Sequence, residues 1–333
     1  MVDKMKSTLA HPRVARLKQI NYRNLFVYAI LILISYQFIY PLLRMVSMSL
    51  MTEDDIINPV VNWIPQSLSF SNFRTALRVM QPMTTYFNSL WFSGIQALGS
   101  TLVAAMAGFA LARYDFPLKK FWFFMIIVAF IIPLPVMMVP RTMMVINLQD
   151  YLQDALARDQ FRLLGTVWPQ FLLAFGGQGV FSTILILIFY NFTRMIPPAL
   201  DEAAAIDGAS SMKIFYHIIL KLSVSTLLVI FLLSFVWNWN ETHITNQFLR
   251  PGSLSIELVT SRLQAFEGMF DEFAGMSGGI ATPEGETGSE MERINEAFRM
   301  SGTLISILPL FVLYLLVQKH FIKGIENTGL TGI

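Results

Sequence analysis

Long apolar stretches dominate the sequence, and six of them are long enough to cross a lipid bilayer as helices. A helix needs about 20 mostly apolar residues to span the hydrocarbon core. The six stretches run approximately over Leu25–Val46, Phe87–Ala112, Phe121–Val139, Thr166–Phe192, Leu222–Trp239 and Gly302–Val317. A single stretch is also compatible with a core helix of a soluble protein, above all the short sixth one. The six together predict an all-α membrane protein with six transmembrane helices.

The charged residues orient these predicted spans. Lys and Arg accumulate in loops on the cytoplasmic side of a membrane. With six spans both termini share one side, and its short loops carry basic residues, among them Arg113, Lys119, Lys120, Arg194, Lys213 and Lys221. The first two loops of the other side are rich in acidic residues, and so is the long loop from about Asn240 to Met300. We therefore expect a multi-pass protein of the cell (inner or plasma) membrane with both termini in the cytoplasm.

Composition agrees with this picture and removes several classes of function. The chain is 54% hydrophobic and 14% charged, whereas soluble domains carry about 25% charged residues. A net charge of +2, without a basic patch interleaved with aromatic residues, argues against a nucleic-acid partner. The sequence contains no cysteine, which excludes disulfides and thiolate metal sites. The first apolar stretch is too long for a cleaved signal peptide and is predicted to be a retained helix.

The sequence lacks the signatures of an enzyme. No GxxxxGK[ST] phosphate loop is present, so we expect the chain not to hydrolyse ATP itself. The four histidines are scattered and form no HExxH pair. We therefore expect no catalytic residues and no metal or cofactor bound by this chain.

The predicted spans are almost free of ionisable residues. Arg44, near the outer end of the first span, is the exception and can extend its charge to the interface. Proton relays and voltage sensors need charges within the membrane, so this composition argues against both. The polar residues inside the spans are neutral amides, which either join helices or hydrogen-bond a polar solute; these are Gln37, Asn88, Gln96, Gln170, Gln178 and Asn238.

Helix-breaking residues interrupt the third and fourth predicted spans. Pro133, Pro135 and Pro140 lie in or beside the third, and Gly176, Gly177 and Gly179 lie in the fourth. Such residues are tolerated where neighbouring helices or a water-filled cavity satisfy the freed backbone groups. They predict either packing kinks or irregular backbone beside a translocation path.

The loop between the fourth and fifth spans, residues 195–223, has a readable local structure. Pro197 and Pro198 end one helix and start the next, and acidic residues favour the new N-terminus. Three alanines then give high helix propensity, and Asp207-Gly208 predicts a turn. Ser210 or Ser211 can cap a second helix in which Met212, Phe215 and Ile219 share a face. The prediction is a short helix–turn–helix on the inner membrane surface, which could also be a plain connector.

This loop resembles the EAA loop of binding-protein-dependent ABC importer permeases. The similarity lies in Glu202-Ala203-Ala204-x-x-Asp207-Gly208-Ala209 followed by Phe215 and Ile218-x-Leu220. Asn88-Ser89-Leu90 and the segment from Ala110 to Phe116 are also similar to the family, as is the ending from Gln318 to Gly324. The whole pattern resembles the maltose-type, six-helix carbohydrate branch.

The resemblance implies a type I ABC importer permease fold with a cytoplasmic coupling helix. Residues 1–84 would comprise the cytoplasmic N-terminus, the first transmembrane helix and an outer loop. Residues 85–333 would form the importer transmembrane domain, with the coupling loop 195–223 and the long outer loop 240–300. The implied ATPase-coupling residues are Glu202, Ala203, Ala204, Asp207, Gly208, Ala209 and Phe215. The residues expected to bind a sugar are Asn88, Trp91, Gln96, Gln178, Phe235 and Asn238.

The implied complex contains a second homologous permease, two ABC ATPase subunits and an extracytoplasmic solute-binding protein. ATP and magnesium would bind the ATPases, and the solute would be a di- or oligosaccharide. A permease for another solute such as a polyamine is the alternative, and a membrane-embedded enzyme or a scaffold is a more distant one. The aromatic side chains Trp237 and Trp239 are predicted to belong to the interfacial belt rather than to the solute site.

Two departures from the family pattern produce further expectations. Lys221 stands where the family usually has proline, which predicts a less sharp bend between the coupling segment and the fifth span. The outer loop is long, with an acidic insertion around Thr282 to Glu296. We expect Phe266 and Phe270 in this loop to contact the binding protein at the pore mouth; the alternative is that the whole loop is a passive link.

Overall fold

The computed structural model describes residues 22–156, 160–249, 256–266 and 288–327. Within these ranges the regular secondary structure is helical and contains no β-strand. The helices are α1 (Tyr22–Ser49), α2 (Glu53–Ile57), α3 (Ser71–Met80), α4 (Pro82–Arg113), α5 (Lys119–Ile131), α6 (Leu134–Leu156), α7 (Trp168–Phe175), α8 (Ser182–Met195), α9 (Ala199–Ile206), α10 (Ser211–Leu222, with a π-helical turn at Phe215–Ile219), α11 (Val224–Asn240), α12 (His243–Phe248), α13 (Val259–Gln264) and α14 (Gly288–Asn327).

Three of these helices are each long and apolar enough to cross a membrane: Asn24–Ser49 of α1, all of α4, and Ile294–Lys319 of α14. Three further pairs pass the same test together but are sharply bent at a short break. The bends are 109° between α5 and α6, 75° between α8 and α9, and 80° between α10 and α11. The described residues therefore hold three spanning helices, or up to six if each bent pair is one span. The predicted all-α membrane fold is confirmed.

Among the helix-breaking residues, Pro133 and the glycines of the fourth predicted span mark true breaks, whereas Pro135 and Pro140 lie inside α6. α5 ends before Pro133, because the residue preceding a proline is held in extended backbone, here Ile132 at φ −66° and ψ 122°. The fourth predicted span divides into α7 and α8. Between these two helices Gly177 adopts φ +76° and Phe181 φ +50°. Both breaks fall on the same cleft, described below.

The described residues form two compact units: residues 22–74 with 288–301, and the remaining residues from 75 onward, with 302–327 of α14. In the first unit the buried Asp55 carboxylate accepts bonds from the backbone N–H groups of Gln66 and Ser67. The buried Asn72 amide donates to the carbonyls of Ser49 and Met51. These bonds fix the loop that follows α1.

The core of the second unit is built around α4, which packs against α7, α8 and α11. Small residues permit the close approach: a Cβ at Gly108 would lie 2.8 Å from the backbone nitrogen of Tyr190 on α8. Phe109, Leu185, Phe189 and Ile230 fill the resulting interface and are buried. This core carries both the coupling segment and the cleft.

One expectation about the outer loop is corrected. The predicted loop 240–300 contains α12, α13 and the start of α14. Phe266 is only 1% exposed, and its ring lies against Gly302, so the prediction that it contacts a binding protein is wrong. Phe270 lies outside the described residues. The sixth predicted span is also too short, because α14 begins well before Gly302.

The bend after the coupling segment does not need the missing proline. α10 and α11 meet at 80°, so the expectation of a softened bend at Lys221 is wrong. The break occurs at Ser223, which is buried and whose hydroxyl donates to the carbonyl of Ile219 at 2.6 Å. A serine that bonds back to the preceding turn bends a helix and satisfies a carbonyl at the break.

Candidate coupling surface and translocation cleft

The short helix α9 is closed at both ends by local backbone bonds. At its start, the Pro198 carbonyl accepts from the N–H groups of Asp201 and Glu202. At its end, the Gly208 N–H donates to the Ala205 carbonyl at 3.0 Å, and the following N–H donates to the Ala204 carbonyl at 2.9 Å. This pair of bonds is a Schellman motif, which requires the left-handed φ of +77° at Gly208. The predicted Asp207-Gly208 turn is confirmed.

The next helix, α10, anchors the segment to the core. The Ser210 hydroxyl accepts from the Lys213 N–H as an N-cap. Ile214, Phe215 and Ile219 are buried, and the Phe215 ring lies 5.1 Å from that of Phe109 on α4. The predicted apolar face is wrong at Met212, which is 53% exposed; Ile214 occupies the buried position instead.

An ion pair joins α9 to the end of α4. The Arg113 guanidinium lies 2.7 Å from Asp201 Oδ2, with side-chain exposures of 11% and 17%. Its Nη2 also donates to the carbonyl of Ile196 at 2.7 Å. Burial raises the pKa of the Asp201 carboxyl, although Arg113 opposes the effect by lowering it. This link was not predicted, because its two partners are far apart in the sequence.

The outward face of α9 is free within the described chain. Leu200 is 44% exposed and Ile206 87% exposed, and the Glu202 side chain between them is also exposed. An apolar residue so fully exposed on a helix fixed at both ends is available to a partner.

The predicted coupling residues divide by burial. Phe215 is buried, Ala204 and Ala209 are half-buried and pack against the core, and the rest are exposed: Glu202, Ala203, Asp207 and Gly208. Phe215 therefore supports the segment from below and offers no surface to a partner.

The two helix breaks open onto one cleft. Its wall is formed by residues beside the α5–α6 break and by the irregular backbone between α7 and α8; it includes Phe130, Ile132, Arg141, Gln178, Phe181 and Ser182. A smaller cleft shares Gln178 and adds Gln96, Gln170 and Glu241. The structure thus brings together Gln96 and Gln178, two of the predicted sugar-binding residues. Gln170 joins them, with a buried Nε2 that has no hydrogen-bond partner in the described chain.

The predicted residues Asn88 and Trp91 lie elsewhere on α4. The Asn88 amide donates to the carbonyl of Glu257 at 3.0 Å. The Trp91 ring lies 6.0 Å from that of Phe171 in an edge-to-face arrangement. Both side chains join α4 to its neighbours in the second unit.

The predicted residues on α11 face the protein core. The buried Asn238 amide donates to the Ser234 carbonyl at 2.8 Å, one turn earlier on the same helix. Phe235 is buried between the rings of Phe231 and Trp239. Trp239 is only 3% exposed, so its assignment to the interfacial belt is wrong.

Arg141 and Glu241 were not predicted as site residues. Arg141 follows the third predicted span by two positions, inside α6, and the apolar run continues on both sides of it. That continuation is the signal that could have identified it. Glu241 caps α12, since its two carboxylate oxygens accept from the N–H groups of Ile244 and Thr245 at 2.9 and 3.0 Å.

No metal-binding cluster of three or more His, Asp or Glu residues occurs in the described chain. The exposed side chains of the coupling segment and the neutral amides of the cleft form no nucleophile–base pair. The geometry is that of an exposed docking surface and of a mainly apolar cleft that carries a few polar side chains.

Comparison with known proteins supplies the family. Residues 100–327, more than half of the chain, match the model of the binding-protein-dependent transport system inner membrane component. The arabinooligosaccharides transport system permease protein AraQ of Halalkalibacterium halodurans is 27% identical over 297 residues, covering 88% of this chain and 91% of that protein. The sn-glycerol-3-phosphate transport system permease protein UgpE of Shigella flexneri is 30% identical over 233 residues, covering 69% of this chain and 68% of that protein.

A solved structure shares the fold. The crystal structure of a bacterial ABC transporter involved in the import of the acidic polysaccharide alginate contains a chain that matches with a TM-score of 0.67. The match is 21% identical and covers 91% of this chain and 99% of that one. The chain belongs to the family of binding-protein-dependent transport system inner membrane components, which are transport subunits working in a complex rather than enzymes.

Proposed function

We propose that the chain is a permease subunit that moves a di- or oligosaccharide through the cell membrane. In this proposal it pairs with a second homologous permease. An extracytoplasmic solute-binding protein delivers the sugar, and two ABC ATPase subunits bind ATP and magnesium on the cytoplasmic side. The observation that carries the proposal is the exposed, doubly anchored helix α9, because such a helix can transmit the movement of a partner to the core.

The contacts of α9 support a coupling mechanism. Ile206 and Leu200 offer apolar surface to a groove on the ATPase, and Glu202 offers a charge beside them. The ion pair of Asp201 with Arg113 passes a movement of α9 directly to α4. Because Gln96 of α4 lines the smaller cleft, displacement of α4 changes the cleft. ATP-driven closure of the ATPases would thereby switch the pore between inward-open and outward-open states.

The cleft and the relatives support a sugar as the solute. Gln96, Gln170 and Gln178 supply amide donors and acceptors for hydroxyl groups, and Phe130 and Phe181 supply rings for apolar sugar faces. The relative AraQ is named for arabinooligosaccharides. A cationic solute such as a polyamine is disfavoured, because the wider cleft presents the positive charge of Arg141.

Substitution of a single exposed isoleucine tests the coupling surface. Ile206→Asp places a charge in the proposed apolar contact, so the ATPase should no longer co-purify with the permease and uptake should be lost. Ile64→Asp is the matched control: Ile64 is 83% exposed, close to the 87% of Ile206, and lies in the segment after α2. Co-purification of the ATPase at the wild-type level with Ile206→Asp would refute the docking surface.

Cysteine labelling tests the orientation. The chain has no native cysteine, so single cysteines at the exposed positions Ser211 and Val60 report without interference. We propose that Ser211 lies in the cytoplasm with both termini and that Val60 lies outside. An impermeant thiol reagent added to whole cells should modify Val60→Cys only. Modification of both variants from outside would contradict the proposed topology.

A further inference from the structure

Arg141 places a positive charge inside the wider cleft. It lies on α6, two turns after the break at Pro133, and lines the cleft together with Gln178 and Ser182. Its Nε and Nη1 atoms are buried and make no hydrogen bond within the described chain. An arginine cannot shed its proton to escape this situation.

The neighbouring acid does not occupy the guanidinium. Glu241 is close enough to act on Arg141 electrostatically, but no ion pair within 4.0 Å joins them among the described residues. Both Glu241 oxygens already accept backbone N–H groups of α12. Glu241 therefore reduces the cost of the buried charge, while Nε and Nη1 of Arg141 still lack a hydrogen-bond acceptor in the described chain.

Retaining such a charge has a considerable cost. A buried ion that lacks a close partner is destabilising, because its lost hydration is not replaced. Ionisable residues at membrane depth are therefore functional by default, and they face a cavity that a substrate or ion uses. The cost at Arg141 is offset if a ligand with negative charge enters the cleft.

The surroundings define the chemistry of that ligand. The planar guanidinium fork matches a carboxylate or a phosphate, each of which accepts two parallel hydrogen bonds. The Gln178 amide and the buried Ser182 hydroxyl, which has no partner in the described chain, add neutral donors beside it. The Phe130 and Phe181 rings line the same cleft and suit an apolar sugar face.

We propose that Arg141 binds an anionic group of the transported solute, so that the substrate class is an acidic or phosphorylated sugar. This inference rests on the proposed carbohydrate function and narrows it. Arg141 sets the charge of the accepted solute, while the amides of the cleft bind its hydroxyl groups.

The inference is tested by measuring uptake of three labelled probes. The assembled complex is reconstituted in proteoliposomes and supplied with its binding protein. Digalacturonate carries carboxylates, glycerol 3-phosphate carries a phosphate, and arabinotriose is neutral. The wild-type complex should take up at least one anionic probe, and the probe that is taken up identifies the carboxylate or the phosphate as the bound group. Arg141→Gln should reduce that uptake about tenfold or more. Arg141→Lys keeps the charge but loses the guanidinium fork, so its uptake of the anionic probe should lie between those of the wild type and Arg141→Gln.

The control is Arg74→Gln, which removes an exposed arginine from α3 and should leave uptake of all probes close to wild type. Unchanged anionic uptake with Arg141→Gln overturns the inference, and so does an equal loss for anionic probes and arabinotriose, since that indicates a structural role. Wild-type uptake of arabinotriose alone overturns the inference and leaves the sugar importer intact. Uptake of none of the three also overturns the inference, whereas the permease function is tested separately by ATPase co-purification with Ile206→Asp.

Discussion

The ion pair between Arg113 and Asp201 should determine how firmly α9 is held to α4. Three variants separate its contributions: Asp201→Leu, Arg113→Met, and the two together. Each single variant leaves one charge in a site where the side chains are only 11% and 17% exposed. The double variant removes both charges and replaces them with apolar side chains of similar reach.

The expected magnitude follows from burial and geometry. Removing one partner of a fully buried ion pair costs about 3–5 kcal/mol. The residual exposure of the two side chains reduces this cost. The buried Asp201 Oδ1 accepts no hydrogen bond in the described chain, so the pair is incompletely satisfied and less is lost when it is broken. We therefore expect each single variant to destabilise the docked state of α9 by about 2 kcal/mol. The double variant should lose less than the sum of the two, because each single variant leaves an uncompensated charge and the double variant leaves none.

Recovery in the double variant should be incomplete. Arg113→Met also deletes the 2.7 Å bond from Nη2 to the carbonyl of Ile196. That carbonyl belongs to a buried residue, so the loss of this hydrogen bond adds about 1 kcal/mol of destabilisation. The substitution at Asp201 does not compensate for it.

Hydrogen exchange of the backbone N–H groups of Asp207, Gly208 and Ala209 measures the effect, because these groups close α9. A change of 2 kcal/mol corresponds to about 30-fold faster exchange where local opening limits it. The control is Lys119→Gln, which breaks the Lys119–Asp115 pair; the Asp115 side chain there is fully exposed, so little change is expected. Exchange rates within about twofold of wild type in both single variants would refute the reasoning.

Three further variants test single contacts. Gly108→Ala would place Cβ 2.8 Å from a backbone nitrogen of α8 and should cost about 1–3 kcal/mol, lowering the thermal midpoint of the purified complex. Gly94→Ala on the same helix, with no atom within 4 Å of the new Cβ, should not lower it; equal midpoints would contradict the packing argument. Gly208→Ala should cost about 1 kcal/mol, because its Cβ is unobstructed but φ is +77°, and exchange in α9 should report it. Tyr86→Phe removes a 2.5 Å hydrogen bond to the carbonyl of Ile305 and should cost about 1 kcal/mol, measured as a lower thermal midpoint of the purified complex. An unchanged midpoint would count against a structural role for that bond.

The coupling segment was predictable because its determinants are local. The two prolines before α9, the alanines within it, the Asp207-Gly208 turn and the Ser210 cap all act on neighbours a few residues away. The pairing of Arg113 with Asp201 was not predictable, since nothing in the sequence says which distant charge meets which. The π-helical turn at Phe215–Ile219 was not predictable either, because an ideal helical period does not represent it.

The neutral amides show a second limit of local pattern. In the sequence Asn88, Gln96, Gln178 and Asn238 are equivalent, each a polar residue in an apolar span. The structure separates them by neighbour. Asn238 and Gln96 each donate to a carbonyl one turn earlier on their own helix, and Asn88 donates to the carbonyl of Glu257. Gln96 differs from Asn238 in that it also lines the smaller cleft, together with Gln178. Their roles depend on which helices meet, and that depends on the packing of small residues along α4.

Arg141 was not predicted as a site residue because it follows the uncharged part of the third apolar stretch. Counting apolar residues ends a span at the first charge, so the third span ended at Val139 and its interior seemed uncharged. That criterion assumes a straight helix crossing lipid. A helix broken at Pro133 and turned through 109° instead lines a cleft, and a charge beyond the break then faces protein and solute rather than lipid. The prolines that predict irregular backbone therefore also indicate where a charge can be accommodated. A charged side chain beside a break in an apolar stretch can lie in a cavity instead of in lipid.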